Sequence, residues 1–231
     1  MWQYFKNNSF ARQVGVLVTG TAIANAIPIV FSPILTRIYL PEDFGLTALY
    51  FSYVAVISVF ATGRYELAIT LPESDEDAAH VVSLSLKLCT FISLLLYLPI
   101  FFYGDKIAQL IGNSKLIPWL YLLPVSVMAT GTFEVFQYWC NRTEKYRNMS
   151  NSRIQDGAFT GLTNVSMGLA KTKGGMIYGQ TLGKGVASLI IGIKSWQESR
   201  EVFNKITPEK EIALAKRYSN HPKYIAPAQL I

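Results

Sequence analysis

Long uncharged runs, broken by short charged clusters, set the pattern of this chain. Val14 to Thr36 holds no charged residue and is bracketed by Arg12 and Arg37. Phe44 to Gly63 is uncharged and ends at Arg64, and Ala78 to Tyr103 carries only Lys87. Leu116 to Phe133 is uncharged and runs on through Glu134 to Cys140. A helix crosses the bilayer core in about 20 apolar residues and satisfies its own backbone there. Four spanning helices follow.

Two later runs are less apolar. Ile154 to Ala170 is rich in Gly, Ser, Thr and Asn and contains Asp156, and Gly174 to Ile193 is interrupted by Lys184. Small residues suit helices that face other helices. Gly175, Gly179, Gly183 and Ala187 recur every fourth residue as a smooth ridge. The expected fold is an all-α integral membrane bundle over residues 1–196. Its six spans lie at about 14–36, 44–64, 78–103, 116–140, 154–171 and 174–195. Pro41-Glu42-Asp43 suits a first helical turn, and Ser74 with Asp77 resembles a capping box. Prolines 28, 33, 99, 118 and 124 fall inside spans and predict kinks.

After Trp196 the composition turns soluble. Residues 197–223 read as a cytoplasmic connection of two amphipathic helices, Glu198 to Asn204 and Thr207 to Tyr218, lying on the anionic inner leaflet. Residues 224–231 are apolar and read as the start of a truncated seventh span.

Composition agrees with a membrane protein. Apolar residues make up 51% and charged residues 16%, against about 25% charged in soluble chains. Two cysteines exclude a disulfide scaffold. The net charge of +6 sits in clusters rather than on one basic face, so no nucleic-acid partner is expected; membrane lipids are. Ala24-Asn25-Ala26 has the form of a signal-peptidase site, but the apolar run continues to Ile38, so the first span is read as uncleaved. Of the 21 Lys and Arg residues, 14 fall on the side holding the N-terminus, the 64–77 and 142–153 loops and the tail, and 5 on the other. The positive-inside rule then makes both ends cytoplasmic.

Phosphate loops, nucleophile elbows and metal-spaced Cys/His sets are absent from the sequence, so neither catalysis nor a metal or cofactor is expected. The candidate chemistry lies in polar residues spaced along spans. Thr21, Asn25, Ser32 and Thr36 share a face of the first. His80, Ser83, Lys87 and Thr90 share one on the third. Ser126, Thr130, Glu134, Gln137 and Asn141 follow the fourth, and Gln180, Lys184 and Ser188 the sixth. A charged side chain within a span costs about 2.5 kcal/mol or more unless it faces water or a partner. Lys87, Lys184 and Glu134 therefore predict a polar cavity between helices.

Leu35-Thr36-Arg37-Ile-Tyr-Leu-Pro41-Glu42-Asp43-Phe44-Gly45, followed by Gly63-Arg64-Tyr65-Glu66 through Pro72 and the acidic 73–77 stretch, resembles the polysaccharide-biosynthesis flippases. These are the O-antigen oligosaccharide-lipid translocases of the multidrug/oligosaccharidyl-lipid/polysaccharide exporter superfamily. The resemblance implies one six-helix lobe of a two-lobe transporter of the bacterial inner membrane, whose partner would be a missing C-terminal lobe. It implies an undecaprenyl-diphosphate-linked oligosaccharide as cargo, moved by alternating access. Under it, Arg64, Lys87 and Lys184 are expected as diphosphate counter-charges. Glu134, Gln137 and Asn25 are expected as polar cavity contacts, and Arg37, Asp43 and Glu66 as gate residues. The small-residue ridge is expected to mark a lobe without its partner. Alternatives are an integral-membrane polymerase or ligase of glycan assembly, and a multidrug exporter of the same superfamily.

Overall fold

The computed structural model describes residues 9–111 and 114–228. Lys6, Asn113 and the last three residues of the expected seventh-span opening lie outside that description. Among the described residues the chain is helical throughout, without a strand. α1 spans Ser9–Ile38 and α2 spans Pro41–Thr62. A short α3, Tyr65–Ala68, precedes α4, Asp75–Leu95, and α5, Tyr97–Ile111. A short α6, Ile117–Leu120, leads into α7, Leu123–Arg142; α8 is Tyr146–Leu169 and α9 Gly175–Glu198. The tail forms α10, Arg200–Phe203, and α11, Pro208–Arg217, then a π-turn at His221–Ile225 and α12, Ala226–Ala228.

Among the described residues four helices are long and apolar enough to cross a membrane: Val14–Ile38, Pro41–Thr62, Asp75–Leu95 and Gly175–Glu198. This differs from the six expected runs in an instructive way. The weakly apolar sixth run qualifies, whereas α7, with Glu134, Gln137, Asn141 and Arg142, and α8, with Arg147, Arg153 and Asp156, do not.

Their neighbours explain why α7 and α8 tolerate polarity. α8 lies between α1 and α9. Gly157 faces Ile27, Gly161 faces Phe31 and Gly168 faces Ile38, so the α1–α8 pair runs parallel with a constant offset. Gly179 faces Asn164 and Gly183 faces Thr160, so α9 runs antiparallel to α8. Tyr39 Oη fastens the same layer by donating to the Asn164 carbonyl at 2.7 Å. The ridge of α9 is thus consumed inside this bundle, with Ala187 fully buried, rather than left open for a missing lobe.

Helix ends follow local chemistry. The expected start at Pro41 is found, with the Asp43 carboxylate accepting from Leu40 N–H at 3.0 Å. Ser74 Oγ accepts from Asp77 N–H at 3.1 Å, as the capping pattern predicts. The prolines behave in two ways. Pro28 and Pro33 sit inside α1 without dividing it. Pro99 and Pro124 stand near breaks, because a proline nitrogen cannot donate to the carbonyl four residues earlier. Leu95 and Leu120 are those positions, and α4 and α6 end there. The expected 78–103 and 116–140 runs are therefore each two helices.

One end of the bundle collects the 63–74 turn, the 143–145 turn and the 199–217 connection; we call it the connection end. There Arg142 clamps the 69–75 turn, donating to Asp75 at 2.9 Å and to the Pro72 carbonyl at 2.7 Å. Phe203 stacks on Trp196 and packs on Trp139. The amphipathic α11 does not turn its buried face to lipid: Glu211 and Leu214 are buried against the bundle, and α11 packs on α4.

Candidate functional site

Where α1, α2, α7, α8 and α9 meet they leave a cavity of about 440 Å³. Pro28, Phe31, Phe51 and Val54 give it an apolar wall. Thr130, Asp156, Asn164, Gln180 and Lys184 give it a polar one. Lys184 is ion-paired with Asp156, and its ammonium sits 4.3 Å from the centre of the Phe133 ring. A lysine in mid-helix α9 is stable there because α8 offers both a carboxylate and a close approach. Asn164 is buried, and its side-chain oxygen has no hydrogen-bond partner among the described residues. Beside the cavity, Tyr50 Oη, Ser126 Oγ and Thr181 Oγ1 form a buried relay at 2.8 and 2.7 Å that ties α2, α7 and α9 together.

A charged stripe continues from Lys184 toward the connection end. α2 terminates at Gly63 and Arg64, both left-handed at φ 58° and 57°. Glycine adopts that conformation freely; arginine does so at a cost, so the turn holds Arg64 against its preference. Arg64 Nη1 donates to Glu66 Oε1 at 3.0 Å, with Glu66 almost fully buried. Both Arg64 Nε and Glu66 Oε2 are buried without a partner among the described residues. Glu134, exposed on α7, lies within electrostatic reach of Lys184, Arg153, Arg64 and Glu66. Arg153 Nε donates to Gln137 Oε1 at 3.1 Å and its Nη1 to Thr21 Oγ1 at 3.3 Å. Gln137 Nε2 donates in turn to Ser152 Oγ at 2.7 Å.

The expected site residues thus separate into groups. Arg64 and Glu66 are brought together, Gln137 and Glu134 lie on the same stripe, and Lys184 lines the cavity. Asn25 is exposed on α1 one turn beyond Thr21. Lys87 is elsewhere: its ammonium bonds both oxygens of Glu211 on α11, at 2.8 and 2.7 Å. Side chains on a helix lean toward its N-terminus, and α4 begins at the connection end, so Lys87 reaches back to the tail. Arg37 and Asp43 do not pair. Arg37 is exposed and forms no ion pair among the described residues, while the Asp43 carboxylate caps its own helix.

The expectation of a cationic cavity also changes. Arg64 and Lys184 are ion-paired with Glu66 and Asp156, and Glu134 adds a carboxylate within electrostatic reach of the stripe. Charge within a bundle is held by partners, and here the partners are residues to which sequence reasoning gave no such role. Asp156 is the only acidic residue between 154 and 170, facing a helix whose middle carries a lysine, and that coincidence was the available signal. Arg153 was counted as a loop cation, yet it stands seven residues inside α8. Among the described residues no three His, Cys, Asp or Glu side chains converge on a metal-sized site.

Residues 34–202 match the family model described as polysaccharide biosynthesis protein. The chain belongs to the polysaccharide biosynthesis protein family. Comparison with curated proteins and with solved structures gave no significant match. The matched region begins in α1 and ends in α10, so it takes in most of the cavity and of the stripe, leaving out Thr21, Asn25 and the cavity residues Pro28 and Phe31 on α1. Family membership and the four apolar helices together make this a membrane protein of polysaccharide biosynthesis.

Proposed function

We propose that the chain is a six-crossing lobe of a translocator in the bacterial inner membrane. Its cargo would be an oligosaccharide linked to undecaprenyl diphosphate, carried toward the outer face for surface polysaccharide such as O-antigen. α7 and α8 supply the two crossings beyond the four apolar helices. They have 20 and 24 residues, about 30 and 36 Å at 1.5 Å per residue, and the long helices alternate in direction.

The observation that carries this reading is the charged and hydrogen-bonding stripe inside an otherwise apolar bundle. A diphosphate needs cations in a medium of low dielectric, and a glycan needs many hydrogen-bond partners. Helices hold such groups more rigidly than loops do. In this scheme Arg64 and Lys184 act as counter-charges by exchanging Glu66 and Asp156 for the phosphates. Glu134, Gln137 and Asn25 meet the sugar hydroxyls. The Arg64–Glu66 pair, at a strained turn, serves as a gate at the connection end. Lys87 fastens the tail. The lobe rocks against a second lobe in alternating access.

The test is export in cells lacking their own translocator, using the complete protein. Arg64→Gln and Lys184→Gln should each lower surface glycan at least tenfold while the amount of protein in the membrane stays unchanged. Normal export by both variants rules the scheme out.

A further inference from the structure

Of the cations expected to meet the diphosphate, each holds a carboxylate among the described residues: Arg64 on Glu66, Lys184 on Asp156 and Lys87 on Glu211. Arg153 does not. Among the described residues it forms no ion pair, and Glu134 acts on it electrostatically without reaching ion-pair distance. Its two hydrogen bonds go to neutral groups, through Nε to Gln137 and Nη1 to Thr21. A guanidinium carries five N–H donors, so the edge between its terminal nitrogens keeps donors to offer. That edge is the fork that matches two oxygens of a phosphate.

The fork is held from three helices in a fixed sense. Ser152 Oγ donates to the Met149 carbonyl at 2.9 Å, so toward Gln137 it acts as acceptor, and Gln137 Nε2 faces it. The Gln137 carbonyl oxygen must then face Arg153 Nε. Thr21 on α1 completes the support. Depth suits the same ligand. Arg153 stands seven residues into α8, about 10 Å from its start, and its side chain leans back toward the connection end. In the six-crossing reading, an α8 of about 36 Å outruns the roughly 30 Å hydrocarbon core, which brings an arginine leaning back toward its first turns close to headgroup phosphates.

We propose that Arg153 is the residue that first binds the diphosphate of the lipid carrier, held ready by Gln137 and Thr21. The proposal rests on the translocation reading and names a binding residue for it. An arginine that merely bridged α1, α7 and α8 would need no unengaged fork, and Thr21→Val would then damage the protein as much as Arg153→Gln.

Binding is measured on the purified chain in phosphatidylcholine nanodiscs, with farnesyl diphosphate, farnesyl monophosphate, inorganic pyrophosphate and phosphatidylglycerol as probes. The unsubstituted chain should bind farnesyl diphosphate at least tenfold tighter than the monophosphate, with phosphatidylglycerol a poor competitor. Arg153→Gln should weaken diphosphate and pyrophosphate binding by at least tenfold. Arg153→Lys, which keeps charge without the fork, should recover only part of the loss. Thr21→Val, which removes part of the support but leaves the fork, should weaken binding by clearly less than Arg153→Gln does, and the distant control Lys106→Gln should remain within threefold. Thermal unfolding of each variant separates loss of fold from loss of contact. Binding by a folded Arg153→Gln within twofold of the unsubstituted chain overturns the assignment while leaving the translocation reading intact. So does a Thr21→Val loss equal to that of Arg153→Gln, or equal competition by phosphatidylglycerol. Absence of diphosphate binding by the unsubstituted chain overturns both.

Discussion

Gly183 and Gly185, two residues apart on α9, face different surroundings. A Cβ at Gly183 would stand 2.8 Å from the Thr160 backbone nitrogen and 2.9 Å from its Cα, contacts no side-chain rotation relieves. A Cβ at Gly185 would meet nothing within 4 Å. Gly183→Ala should therefore push α8 and α9 apart and cost about 1–3 kcal/mol, the usual range for overpacking. Gly185→Ala should be neutral or slightly stabilising, since alanine favours helix. Denaturation in mixed micelles of increasing SDS content measures both, and equal midpoints for the two variants would contradict the packing. The periodic ridge was legible from spacing alone. Its partner was not, because a period says which face is smooth and nothing about what lies against it. Asp156 and Lys184 teach the same lesson: each charge is visible in the sequence, but their pairing requires the register of two helices.

The connection end shows what can be read of an element. The amphipathic pattern of Thr207 to Tyr218 predicts α11, found at Pro208–Arg217, but the expected resting place on the lipid surface gives way to packing on α4. Lys87 meets Glu211, Lys205 pairs with Glu76, and Tyr65 Oη donates to the Ala215 carbonyl at 3.0 Å. Burial raises the Tyr65 phenol pKa and keeps it a donor, and the Glu76 carboxylate raises that of the Lys205 ammonium. His80 is buried, with Nδ1 bonded to the Glu76 carbonyl at 2.6 Å and Nε2 accepting from Thr207 N–H at 3.0 Å, which ties the start of α11 to α4. Lys87 is more than half exposed, so solvent weakens its pair to about 1 kcal/mol. Reversing its charge adds repulsion. Lys87→Glu should raise amide hydrogen exchange across 208–217 at least about fivefold, and adding Glu211→Lys should return it most of the way. Unchanged exchange in the single variant would mean that the remaining contacts hold α11 by themselves.

For the whole molecule the open question is which way it stands in the membrane, and the charge distribution bears on it directly. The connection end gathers Arg64, Arg142, Lys145, Arg147 and the lysines and arginines of the tail, whereas the turns at the other end carry Arg37, Lys115, Lys171 and Lys173. Hydropathy finds four crossings because α7 and α8 turn much of their polarity toward other helices, where a hydropathy average still counts it as cost. Six alternating crossings would place the whole connection end on one side and the 170–174 turn on the other. The positive-inside rule assigns the connection end to the cytoplasm. Arg147 and Lys173 are exposed at opposite ends and hold no ion pair among the described residues, so each takes a probe without disturbing a contact. In a background with Cys89 and Cys140 replaced by alanine, Lys173→Cys should react with an impermeant thiol reagent in intact cells. Arg147→Cys should react only after the membrane is opened. Labelling of both from outside would place the 146–169 helix on one face of the bilayer and reduce the crossings to four, and the reverse pattern would invert the molecule.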